Sequence, residues 1–264
     1  MIRIALIVVM FYSPAYAQLY PGPRSAALGT ASAALDHPSS IFQNPAGIAN
    51  QSKPFIAFSY EQHFLDPDLG SQNALLIIPF HKHVMGLSFS RYGFSEFASQ
   101  SAGLTYARSF SGALSLALTF RVHQIHISQY GTASAYSLDA GLQFHLTEKV
   151  IIGSGISNPG KSEYANLPGT VVPLSLRVGL CYLLSDKVLV LSDLDKFLGH
   201  QIDLKFGVEY KPLKSFALRG GMSANPYKQY AGFGFSLKGM TVDAAVSSHP
   251  DLGISPNLGL SYEF

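Results

Sequence analysis

A single cysteine, Cys181, among 264 residues excludes an internal disulfide and any multi-cysteine metal site. Tryptophan is absent, so tyrosine and phenylalanine must supply any interfacial aromatic belts. Charged residues make up only 13%, against roughly a quarter in typical soluble domains, too few to solvate a conventional surface. A net charge of +2 without clustered Lys and Arg argues against a nucleic-acid partner, because counterion release needs clustered cations. No run of about eighteen apolar residues occurs beyond the first segment, so no transmembrane helix is expected. What the chain does have is apolar. Hydrophobic residues are 47% and aromatics 12%, which excludes disorder.

The first segment points to export. Arg3 gives a short positive start, Ile4–Tyr12 an apolar stretch, and Ala15-Tyr16-Ala17 a small-x-small cleavage site. Residues 1–17 therefore read as a secretory signal, with the mature chain beginning at Gln18. Residues 55–264 form one repetitive block, and residues 18–54 stand apart from its pattern.

That block alternates with period two. Leu114, Leu116, Leu118, Phe120 and Val122 are apolar, while Ser115, Ala117, Thr119, Arg121 and His123 between them are small or polar. Ile202, Leu204, Phe206, Val208 and Tyr210 alternate in the same way with Asp203, Lys205, Gly207 and Glu209. Successive strand side chains point to opposite faces, so each segment has one greasy and one polar face. A soluble sandwich alternates too. Here the polar faces are rich in Gly, Ala and Ser with isolated charges, and the segments run near ten residues, the length of a tilted membrane strand.

Fourteen such segments fit between Phe55 and Phe264, the first near Phe55–Phe64 and the last near Asn257–Phe264. Short connections such as His81-Lys82-His83 alternate with mostly longer ones such as Asn158–Pro173. Short periplasmic turns, longer outer loops and an even count describe an outer-membrane barrel. The expected class is thus all-β, a transmembrane antiparallel up-and-down barrel of about fourteen strands, with a short helical N-terminal plug. Leu258, Leu260, Tyr262 and a terminal Phe264 alternate to the end, resembling the strand signal read by barrel-assembly machinery. Gly93, after Arg91-Tyr92, is a candidate strand kink.

Between residues 18 and 54, the Ala-rich stretch Ser25–Leu35 has helical propensity weakened by Gly29. Asn44-Pro45 reads as an N-cap followed by proline opening a short turn through Ala49. The pieces Pro23-Arg24-Ser25-Ala26-Ala27-Leu28-Gly29, Ala34-Leu35-Asp36 and Asn44-Pro45-Ala46-Gly47-Ile48-Ala49 resemble the N-terminal signature of the FadL/PorV/PorQ group. Departures are Thr30, where a second glycine is frequent, and His37-Pro38 after Asp36. The resemblance implies a fourteen-stranded outer-membrane barrel with a lumenal plug carrying Arg24, Gly29, Asp36, Asn44, Pro45, Ala46 and Gly47. It implies one of two jobs. The wording of the motif lies closer to PorV/PorQ, hence to type IX protein secretion and partners among secretion-system proteins or exported cargo. The alternative is a FadL-like channel for long-chain fatty acids or other hydrophobic small molecules.

Charges expected to face inward are Glu61, Arg121, Asp139, Arg177, Asp203, Lys205, Glu209, Arg219, Asp243 and Glu263. Both signs occur, so a salt-bridged lumen that holds the plug is the first reading and a polar pathway the second. Nine histidines show no metal-ligand spacing, and His123 and His145, though of one parity, fall far apart along the barrel. Gly153-Ser154-Gly155 lies within a strand and is no phosphate loop, and no Gly-x-Ser-x-Gly elbow occurs. No catalytic, cofactor or metal site is expected. Lys82, Lys149, Lys187, Lys211, Lys214 and Lys238 fall on expected periplasmic turns, as ordinary turn solvation or as a basic rim toward an acidic partner or the outer-membrane lipid.

Overall fold

The computed structural model describes residues 21–264, so the expected signal, residues 1–17, lies outside the described residues. Fourteen strands close into one antiparallel up-and-down barrel. They are β1 Phe55–Gln62, β2 Gly70–Phe80, β3 His83–Gly93, β4 Phe97–Phe110, β5 Leu114–Ile127, β6 Gly131–His145 and β7 Val150–Ser157. The second half comprises β8 Ser175–Ser185, β9 Val188–Phe197, β10 Ile202–Leu213, β11 Phe216–Ala224, β12 Tyr227–Leu237, β13 Met240–His249 and β14 Gly253–Glu263. The seam closes with β1 on β14, from Phe55 opposite Glu263 to Glu61 opposite Asn257. The closed order gives every strand a partner on both sides over most of the wall, the condition for placing strands in hydrocarbon.

Alternation in sequence becomes alternation across the wall. On β5, Leu116, Leu118 and Phe120 are exposed on the outside, while Ser115, Thr119 and Arg121 are buried inside. Leu138 and Phe58 are 60% and 57% exposed, which in water would be unfavourable at roughly 25 cal/mol per Å² but in a bilayer is the lipid-facing band. No helix of the described residues is long and apolar enough to cross a membrane. The wall is built of strands.

Inside lies the segment that precedes β1. Helix α1 (Pro23–Ala27) and two 3₁₀ turns, Pro38–Phe42 and Pro45–Ile48, are almost wholly buried against inward-facing wall residues. The helix expected across Ser25–Leu35 stops at Ala27. Gly29 and Thr30 both take positive φ, +68° and +59°, which turns the chain out of the helix. The Thr30 conformation explains why glycine suits that place, since a left-handed φ is strained for a β-branched residue. Ile41, Phe42 and Ile48 pack on Ile77, Val84 and Leu75, while Leu28 and Leu35 pack on Ile151 and Leu191.

One stretch of wall is incomplete. β6 has fifteen residues, but it pairs with β7 only from Asp139 to His145. Its outer half, Gly131 to Leu138, has β5 on one side and no strand on the other. The long connection 158–174 fills that notch, and the Ala165 N–H donates to the Ser134 carbonyl at 2.8 Å. Gly93 does not kink β3. It ends the strand at φ +122°, after unbroken pairing of β3 with β2 and β4.

Candidate functional site

The lumen is the large concave surface the fold provides, and its inner wall is written by the polar parity of the strands. Glu209 on β10 is the central anion. It accepts from Arg24 of α1 at 2.9 and 3.1 Å and from Arg219 on β11 at 2.7 Å, while Arg219 also reaches Asp243 at 2.5 Å. A second cluster joins Arg177 and Lys205 to Asp195, at 3.0 and 2.6 Å, with Asp203 3.7 Å from Lys205. Arg121 and Asp139 form a third pair at 3.1 Å. Such pairs are costly to desolvate, and removing one partner strands the other charge away from water.

Several of these groups also grip the plug. Asp193 on β9 accepts the backbone N–H groups of Ser32 and Ala33 at 2.7 and 2.8 Å. Gln143 on β6 donates to the carbonyls of Ala33 and Leu35, and Arg177 donates to the carbonyl of Gln43 at 3.2 Å. Asn44 does two jobs. Its Oδ1 accepts from the Ala46 N–H and caps the turn opened by Pro45, while its Nδ2 donates to the Leu142 carbonyl on the wall. Gly47 is buried against Leu35 and Ser40, and Gly153 lies where any Cβ would overlap the Ala33 carbonyl. Asp36 sits toward the periplasmic mouth, 3.5 Å from His145 and accepting from Asn50 at 3.1 Å. His37 Nδ1 accepts from the Ser39 N–H. Burial, then the neighbouring Arg24, hold its imidazole well below the usual histidine range.

The structure thus places Glu61, Arg121, Asp139, Arg177, Asp203, Lys205, Glu209, Arg219 and Asp243 inside the barrel, all buried. Glu263 is at the periplasmic rim instead, paired with Lys53 at 3.5 Å, because β14 ends there. Asp203 turns toward the outer end and accepts from the N–H groups of Ala224 and Asn225. Sequence reasoning missed Asp193 and Asp195. The inward parity of β9 carries Leu189 and Leu191 before the two aspartates, so its polar face reads as greasy for half its length. Lys228, on the inward side near Glu61, was hidden by the strand start at Tyr227. Leu258, Leu260, Tyr262 and Phe264 are exposed on the outside of the closing strand, and the Phe264 N–H donates to the Pro54 carbonyl. Of the lysines, Lys211 lies within β10 and reaches Glu209 at 3.2 Å; the other five are exposed on turns between strands.

Two cavities lie above the plug toward the long-loop end. The larger, about 340 Å³, is bounded by inward residues of β3 to β6 and by Tyr164, Val171 and Val172 of the connection 158–174. The smaller, about 180 Å³, borders Glu61, Lys228, Asp203 and Asn257, and the two share Arg177 and Phe197. Ala133, Ala135, Tyr164 and Val172, with Ile125 and Leu167 packed on them, form an apolar cluster between the larger cavity and the notch beside β6. On the seam side, a crevice of about 40 Å³ between Pro23, Phe42, Phe55 and Leu260 is too small for a ligand. No group of three or more His, Cys, Asp or Glu among the described residues could hold a metal ion.

No family model matches the chain, and no curated protein does. Solved structures do. The toluene transporter TodX of Pseudomonas putida aligns with a TM-score of 0.73 over 93% of this chain and 99% of its own, at 11% identity. The toluene transporter TbuX of Ralstonia pickettii gives 0.71 over 94% and 99%, at 12% identity. A FadL homologue from Pseudomonas aeruginosa gives 0.66 over 92% and 98%, also at 12%. At such identities the likeness is one of fold, and the fold is that of a plugged, fourteen-stranded FadL-type barrel.

Proposed function

We propose that this chain is an outer-membrane channel that takes up small hydrophobic molecules. The observation that carries the reading is the notch. The outer half of β6 has β5 on one side but no strand on the other, and there the connection 158–174 and its apolar cluster stand between the 340 Å³ cavity and the membrane side. A cavity of that volume is in the range of small-molecule sites. A plug clipped across the lumen by Arg24–Glu209 and Asp193 obstructs a straight aqueous path. A molecule entering from outside would therefore leave sideways, through the notch. Of the two jobs implied by the N-terminal resemblance, this is the FadL-like one. It displaces the secretion-associated reading because the solved barrels of like fold are described as toluene transporters and a FadL homologue. Residues 1–17 serve as the export signal, and Leu258, Leu260, Tyr262 and Phe264 as the signal for barrel assembly.

The test is the initial rate of labelled toluene uptake by Gram-negative cells with an intact outer membrane, with and without this protein. Expression should raise the rate several-fold. An unchanged rate, with the barrel verified in the outer membrane, contradicts the proposal.

A further inference from the structure

The larger cavity is not lined as a hydrocarbon site would be. Its lining includes aromatic and aliphatic side chains, Phe97, Tyr164, Phe197 and Val172. It also carries Ser90, Ser99, Ser101 and Ser137, all buried on the inward faces of β3, β4 and β6. Two hydroxyls there matter most. Ser101 is 7% exposed, and its buried Oγ has no hydrogen-bond partner among the described residues. Tyr164 is likewise 7% exposed and lines the same cavity. Burial pushes this phenol up to about 12, so it stays a neutral donor and acceptor. Buried polar groups left without partners are costly, and in native proteins nearly all are satisfied. Both residues line the cavity, and an unpartnered hydroxyl in its wall is satisfied by a polar group of what enters it.

From this lining we infer that the cavity above the plug recognises compact ring compounds bearing a hydroxyl group, the phenol class, in preference to the bare hydrocarbons. The inference rests on the uptake reading above and narrows its substrate. The volume fits, since about 150 Å³ suffices for benzene in an apolar cavity, and about 340 Å³ leaves room for one substituted ring or two small ones. The ring packs against Phe97 and Phe197, and its hydroxyl exchanges hydrogen bonds with Ser101 and Tyr164. Arg121 and Asp139 at the floor are spent on each other and leave no free charge for an anionic head group there.

The pair p-cresol and toluene differs by one hydroxyl and isolates that contact. Binding of each to the purified full barrel in detergent is measured by saturation-transfer NMR titration, for the wild type, Ser101→Ala and Tyr164→Phe. One or two added hydrogen bonds predict p-cresol binding tighter than toluene by roughly 3- to 30-fold. Each substitution should shrink that ratio, and the double variant should bring it near one. Equal binding of both compounds, or a ratio that the variants do not change, overturns the inference while leaving hydrophobic uptake standing. If neither compound binds and neither is taken up by cells, the uptake reading falls with it.

Discussion

Replacing Glu209 with glutamine changes one atom and removes the charge that holds Arg24 to the wall. In the native lumen Glu209 is 2% exposed and its two arginines, Arg24 and Arg219, are 15% and 5% exposed at their side chains. Arg219 keeps Asp243 at 2.5 Å, but Arg24 has no second carboxylate among the described residues. In the variant, Arg24 faces Arg219 across a neutral amide. Breaking a buried pair by removing one partner costs about 3–5 kcal/mol. Arg24 recovers its hydration only when α1 leaves the wall, so the cost falls on the plug-in state and favours release. At about 1.4 kcal/mol per decade, this increases the population of the released state by roughly 10²- to 4 × 10³-fold. Hydrogen exchange followed by mass spectrometry, on the barrel in lipid nanodiscs, reads that population from the amides of residues 25–35. Their exchange should accelerate by about two to three and a half decades while amides of β4 and β5 stay unchanged. Lys211, whose side chain is 47% exposed, provides the contrast. Lys211→Ala removes a solvated pair of at most about 1 kcal/mol and should change exchange less than about fivefold. Plug amides in Glu209→Gln exchanging within threefold of wild type would refute the idea that this ion cluster retains the plug.

Gly153→Ala should loosen the same segment from the other side. The new methyl meets the Ala33 backbone carbonyl, which cannot swing away as a side chain would, and overpacking of this kind costs about 1–3 kcal/mol. The amides of Ser32 and Ala33 should lose protection, and an unchanged exchange pattern would show that the plug tolerates the methyl. Plug retention should also fall with acid. The imidazole of His37 titrates below its ordinary value when the plug is docked, so its contribution is complete above about pH 6.5 and is lost progressively as pH falls. His37→Asn keeps an acceptor near the Ser39 N–H and should flatten the dependence of plug exchange on pH between 7 and 5. An equally steep profile in the variant would assign the effect elsewhere.

The architecture was legible because lipid on one side and a filled lumen on the other force a strict period of two. Every expected strand from Phe55 to Phe264 has its counterpart, with ends displaced by a few residues. The Asn44-Pro45 cap could be read because its chemistry is local. The end of α1 was harder, since an alanine-rich run favours helix until Gly29 and Thr30 turn it and Asp193 takes the next two N–H groups. That contact joins residues 160 or more positions apart, which no local pattern encodes. The same holds for Arg24 and Glu209. Sequence could place both inside but could not pair them. The notch was invisible for another reason. Alternation marks where β7 lies, but a strand's length does not say how far its longer neighbour runs beyond it.

The proposed lateral route can be locked. Cysteines replacing Ser134 and Ala165 are placed at the two ends of the 2.8 Å backbone bond that pins the connection 158–174 to the free edge of β6, where the chains approach closely enough to test for a disulfide. Cys181, 1% exposed, stays apart from them. Cells carrying the oxidised double-cysteine barrel are compared with the same cells after mild reduction, by the initial rate of labelled toluene uptake. Exit through the notch predicts uptake near the level of cells without the barrel when oxidised, restored by reductant. Equal uptake in both states, with the disulfide confirmed by mass spectrometry, would contradict a path between β6 and this connection.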